Sequence, residues 1–65
     1  MNGAESGQDT EPKADEAYNL GLESYRKDDF VNAKKFWQET LEIDPRNIQA
    51  KRNLDRLLEE HSDLK

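Results

Sequence analysis

The feature that most constrains this chain is where its helical periodicity stops. From about Lys13 onward, apolar residues recur at the spacing of an amphipathic helix. Asp28-Asp29 interrupts the pattern, and Asp44-Pro45-Arg46-Asn47 interrupts it again. Pro45 has no amide proton and cannot continue the segment before it. Asp29 stands where its carboxylate can accept the orphan amide protons of a first helical turn, and Asp44 or Asn47 can do the same for the next segment. The spacing therefore predicts three helices, at about 13–27, 30–43 and 47–62. No strand pattern competes, so the expected fold class is all-α. The turn at Asp28-Asp29 is short enough to force the first two helices into an antiparallel hairpin, with the third added as a cap.

Placed at about 100° per residue, the segments are dressed differently. On the first, Ala17, Leu20, Gly21 and Ser24 form one stripe, while Tyr18, Leu22 and Tyr25 form a second, rotated from it. The second segment has one broad apolar arc of Phe30, Ala33, Phe36, Trp37, Thr40, Leu41 and Ile43. The third has a narrow stripe of Ala50, Leu54, Leu57, Leu58 and His61 between polar flanks. Gly21 looks out of place, because a mid-helix glycine costs about 1 kcal/mol relative to alanine. Its position on the inner stripe, facing Phe36 and Trp37, supplies a reason: a large aromatic fits where a side chain is missing, and its burial is worth a few kcal/mol.

Composition narrows the function. The chain has 65 residues, 32% hydrophobic and 38% charged, and a domain of this size buries only about 60% of its unfolded surface. There is no cysteine and one histidine, His61, so neither a disulfide nor a zinc site is expected. A net charge of −5 argues against a nucleic-acid partner. No apolar run reaches the ~18 residues of a membrane span, and "MNGAESGQDTEPKAD" lacks the apolar centre of a secretory signal. The expectation is a cytoplasmic protein with no membrane contact and no cofactor. Residues 1–12 are almost free of apolar side chains and read as a disordered leader. The domain is placed at 13–62, and 63–65 as a tail.

These residues resemble a known family. The tetratricopeptide repeat is a helix–turn–helix unit of about 34 residues with the pattern W-x₂-L-G-x₂-Y, then A-x₃-F, then P. Leu20-Gly21 matches the central pair, Ala33 and Trp37 the second signature, and "LEIDPRN" the repeat ending. Ala17 and Ser24 replace the flanking aromatics. The third segment falls in phase as the first helix of a further repeat, with Asn53-Leu54 echoing Asn19-Leu20, but Asp55 stands at the glycine position and no further helix follows. The chain thus resembles one repeat plus a capping helix, either a free-standing protein or the end of a longer array.

The resemblance implies a binding groove lined by the first helices. Carried over by position, its residues are Tyr18, Asn19, Leu22, Tyr25 and Arg26 on the first segment, and Arg52, Asn53 and Arg56 on the third, with Asp15, Gln49 and Glu59 carried over alongside them. Two readings of the Tyr18, Leu22 and Tyr25 stripe stand: packing against the third segment, or an exposed recognition surface with aromatic anchors. Arg52 and Arg56 either meet acidic groups of a partner or balance Asp55, Glu59 and Glu60 on a solvated helix. Some family members clamp chaperone carboxylate tails with Lys and Asn. Asn19 and Asn53 match such positions, but Tyr18 and Leu22 replace the Lys and Asn needed, so that clamp is not expected.

No paired carboxylates, nucleophile–histidine pair or phosphate-binding glycine loop points to an enzyme. The expected function is protein–protein interaction, as an adaptor or scaffold that binds a peptide or partner helix in the groove or self-associates. Monomer and homodimer are both left open, the latter through the apolar faces of the first segment. The alternative is a structural cap without binding of its own.

Overall fold

In the computed structural model, the backbone is described for residues 2–64 and the side chains for residues 13–64. Three helices follow one another: α1 over Asn2–Arg26, α2 over Phe30–Ile43 and α3 over Ile48–Glu60. A 3-10 turn over Ser62–Leu64 closes the described chain. The fold is all-α, a helical hairpin with a third helix laid on one side.

The helix ends are set by the residues that interrupt the periodicity. Asp29 caps α2, its carboxylate accepting from the Asn32 amide at 3.4 Å and from the Asn32 side chain at 2.7 Å. Asn47 caps α3 and accepts from the Ala50 amide at 2.9 Å. Asp44 closes α2 instead, with its amide donating to Thr40 and its carboxylate accepting from Arg46. Between α1 and α2 the chain reverses through a Schellman arrangement. The Asp29 amide donates to the Ser24 carbonyl at 2.8 Å and the Asp28 amide to that of Tyr25 at 3.0 Å. Asp28 takes the left-handed conformation this requires, with φ of 63°.

The backbone of α1 is helical from Asn2, through the stretch that the sequence pattern places as a leader over residues 1–12, whose side chains lie outside the described residues. The supposed tail also belongs partly to the fold: Leu64 packs against the core, and its carbonyl accepts from the Lys34 ammonium. A single apolar residue after a helix end is too weak a periodic signal to be read from sequence. Lys65 and the side chains of residues 1–12 lie outside the described residues.

Contacts between α1 and α2 run in reverse order. Tyr25 meets Phe30 with ring centroids 5.4 Å apart, Trp37 reaches Tyr18, and Lys13 lies near Ile43. The pair is therefore antiparallel. α3 is antiparallel to α2, since His61 stacks on Phe30 with centroids 4.0 Å apart. It is consequently parallel to α1: Asn53 meets Tyr18 and Glu60 meets Tyr25, both at a separation of 35 residues.

The core is centred on Ala33, Trp37 and Leu57, with Tyr18, Leu22, Tyr25, Phe30, Leu54 and Leu64 packed around them. Trp37 is 2% exposed. Its indole lies directly over Gly21. A Cβ on Gly21 would overlap the ring, 2.8 Å from Cε2 and closer still to Nε1. That close approach lets Trp37 Nε1 donate to the Tyr18 backbone carbonyl at 3.2 Å. The glycine therefore does two things for α2. It admits the ring, and it uncovers a backbone acceptor for the buried indole N–H.

Candidate functional site

The candidate site is a hollow between α1 and α3. α1 brings Leu22 and Tyr25 to it, α3 brings Asn53 and Arg56, and Trp37 of α2 forms its floor. Positions 22 and 25 share a face of α1 at i,i+3 spacing, as do 53 and 56 on α3. The parallel arrangement of the two helices sets the pairs side by side. The hollow has a volume of about 150 Å³, below the ~300 Å³ at which small-molecule pockets usually begin. It matches one side chain of a partner better than a whole ligand.

The Tyr18, Leu22 and Tyr25 stripe is half-buried and packed against the core. Its phenols are held by α3. Asn53 Nδ2 donates to the Tyr18 hydroxyl at 3.1 Å, and the Tyr25 hydroxyl donates to Glu60 Oε1 at 3.0 Å. Tyr25 also lies 5.9 Å from the Trp37 ring. The Glu60 hydrogen bond, with burial adding to it, raises the Tyr25 phenol above its ordinary value of 10.0, because the bond needs the proton in place. The Glu60 charge acts in the same direction and Arg56 in the opposite one. Arg56 is exposed at the rim, so the hollow has an apolar floor, an amide on one wall and a cation at its edge.

Of the eight residues expected to line a groove, four converge here: Leu22, Tyr25, Asn53 and Arg56. Tyr18 lies beside them through its bond to Asn53 but does not line the hollow. Asn19, Arg26 and Arg52 are exposed on the helices and stand outside it. Asn19 borders a separate shallow depression with Glu16, Leu20 and Glu23. Two further residues take part. Trp37, buried in the core that α2 shares with α1 and α3, faces the hollow with its ring. Glu60, expected on a solvated helix end, instead accepts from Tyr25, and Asn53, Arg56 and Glu60 fall at i, i+3 and i+7 on one face. That spacing is the signal that marks it.

Among the described residues, no group of three His, Cys, Asp or Glu side chains is placed to hold a metal ion. Among the same residues, no helix is long and apolar enough to cross a membrane. In comparisons with family models, curated proteins and solved structures, the chain matches none.

Proposed function

We propose that this chain is a protein-interaction module, resembling one tetratricopeptide repeat with a capping helix, and that it holds a peptide by one apolar anchor residue beside an acidic group. The observation that carries this reading is the convergence of Leu22 and Tyr25 with Asn53 and Arg56 on a single hollow. An aliphatic or aromatic side chain would sit on Leu22, Tyr25 and the Trp37 floor. A neighbouring Asp or Glu would pair with Arg56, and Asn53 would hydrogen-bond the peptide backbone. The equivalent placement of Tyr18 and Asn53, and of Tyr25 and Glu60, on parallel helices supports the repeat-like register. Occupation of the Tyr18 stripe by α3 favours a foreign peptide over a second copy on that surface.

Selection from a random peptide library displayed on phage tests the proposal. Enriched peptides should carry an apolar residue next to Asp or Glu, and Arg56→Glu should weaken them by about tenfold or more, as reversal of a contact charge commonly does. No enrichment, or peptides indifferent to Arg56→Glu, would leave the hollow as packing without a binding role and favour a purely structural cap.

A further inference from the structure

Among the described residues, nothing covers the face of the α1–α2 hairpin turned away from α3. Leu20 on α1 and Ile43 on α2 are 44% and 38% exposed. Phe36 is half-buried between them. Phe36 immediately precedes Trp37 and is therefore rotated by about 100° around α2. With Trp37 facing α3, Phe36 falls on the opposite side of the hairpin, and Leu20 does so on α1. With Ala17 these residues form an open groove of about 340 Å³ between the two helices, and no residue of α3 reaches it.

The surroundings of the groove are mainly acidic. Glu16 and Glu23 flank Leu20 on the α1 side. Glu39 lines the groove from α2 and also borders, with Glu42, Gln38 and Lys35, a separate depression on α2. Lys13 and Lys35 are the cations set among these four acids. The apolar floor is narrow and runs along the helix axes. From Lys13 to Glu23 α1 rises by about 15 Å, roughly three turns. A floor of that width and length, between two antiparallel helices, accepts the apolar ridge of one further helix.

We propose that this groove docks a short amphipathic helix of another protein, with a Leu- or Met-rich stripe on the floor and Lys or Arg on both flanks. Charge complementarity selects that occupant. A second copy placed on the same face by a two-fold axis would bring the Glu16 and Glu39 pairs of the two copies close together, and like charges oppose such a dimer. A basic helix meets the same acids with opposite sign. This surface is independent of the hollow at Arg56.

The test uses the whole chain and three synthetic peptides of about four turns. One has leucines at i, i+3, i+4 and i+7 with lysines on both flanks. The second has glutamate for each lysine. The third scrambles the first to remove the stripe but keep the charge. Binding is measured by fluorescence anisotropy and mapped by amide chemical shifts. The basic amphipathic peptide should bind about tenfold or more tightly than either control at low salt, and the advantage over the acidic peptide should shrink as salt is added. Shift changes should centre on Leu20, Phe36 and Ile43. Leu20→Lys should weaken binding about tenfold, and the double variant Glu16→Lys/Glu39→Lys should move the preference toward the acidic peptide. Equal binding of all three peptides, no binding of the basic one, or shifts confined to the Arg56 side would overturn the proposal. So would a dimer in sedimentation equilibrium that Leu20→Lys dissolves, because the groove would then belong to a second copy.

Discussion

Gly21→Ala separates packing from intrinsic helix preference, because the two predict opposite signs. On propensity alone, alanine within α1 should stabilise the helix by about 1 kcal/mol. In the folded protein, the added Cβ would stand 2.8 Å from Trp37 Cε2 and closer to Nε1. The indole is 2% exposed and belongs to the core shared by α2 and α3, so it has little room to retreat. Overpacking of this kind costs about 1–3 kcal/mol. Displacing the ring also strains or breaks the 3.2 Å bond from Nε1 to the Tyr18 carbonyl, and an unsatisfied buried donor costs about 1–3 kcal/mol more. After subtraction of the propensity gain, the net loss is about 1–5 kcal/mol. A domain of this length has roughly 3–10 kcal/mol in total at 0.05–0.15 kcal/mol per residue, so the midpoint should fall visibly, by about 4–8 °C per kcal/mol. Urea and thermal unfolding, followed by circular dichroism and Trp fluorescence, measure it. The decisive control is Gly21→Ala in a Trp37→Leu background, where the clash is gone and the same substitution should become stabilising by up to about 1 kcal/mol. An unchanged or raised midpoint in the native background would refute the close-approach account.

The other predictions concern the turn, the floor of the hollow and the Tyr25 proton. Asp28→Gly should stabilise the protein by about 0.5–1 kcal/mol, because glycine takes the left-handed position of a Schellman turn without a Cβ penalty and removes an acid from a helix C-terminus; a lowered midpoint in urea would contradict it. Native Trp37 emission should be blue-shifted and should move to the red on unfolding, while Trp37→Ala should cost about 3–5 kcal/mol and abolish cooperative melting; a native emission maximum like that of free tryptophan would place the ring in water. The Tyr25 phenol is raised in the folded state, chiefly by its bond to Glu60, so its share of stability is whole below its unfolded value of 10.0 and is lost as pH climbs through the folded value above it. Tyr25→Phe should accordingly flatten the alkaline limb of the stability–pH curve, and an unchanged limb would show that the hydroxyl is not held in solution.

The sequence by itself determined where α1 and α2 stop and which residues share a face of each helix. Asp29, Asp44, Pro45 and Asn47 act within one turn of their own position, through a carboxylate or amide that caps or a ring that lacks a proton, and such effects are legible in a linear string. The boundary of α2 at Phe30–Ile43 follows from them. The conflict at Gly21 was legible too, because a glycine among Tyr18, Leu20 and Leu22 opposes local preference and points to something opposite it. Tertiary structure decided everything that depends on how the third helix lies against the first. The Tyr18, Leu22 and Tyr25 stripe could face solvent or α3 equally well by periodicity. Its burial is settled by bonds from Tyr18 to Asn53 and from Tyr25 to Glu60, each spanning 35 residues. The indole bond to the Tyr18 carbonyl, the His61 ring on Phe30 and the packing of Leu64 are of the same kind. Periodicity assigns residues to faces of a single helix. Which faces meet, and which, like that of Leu20 and Ile43, stay open, depends on how separate helices are placed in space.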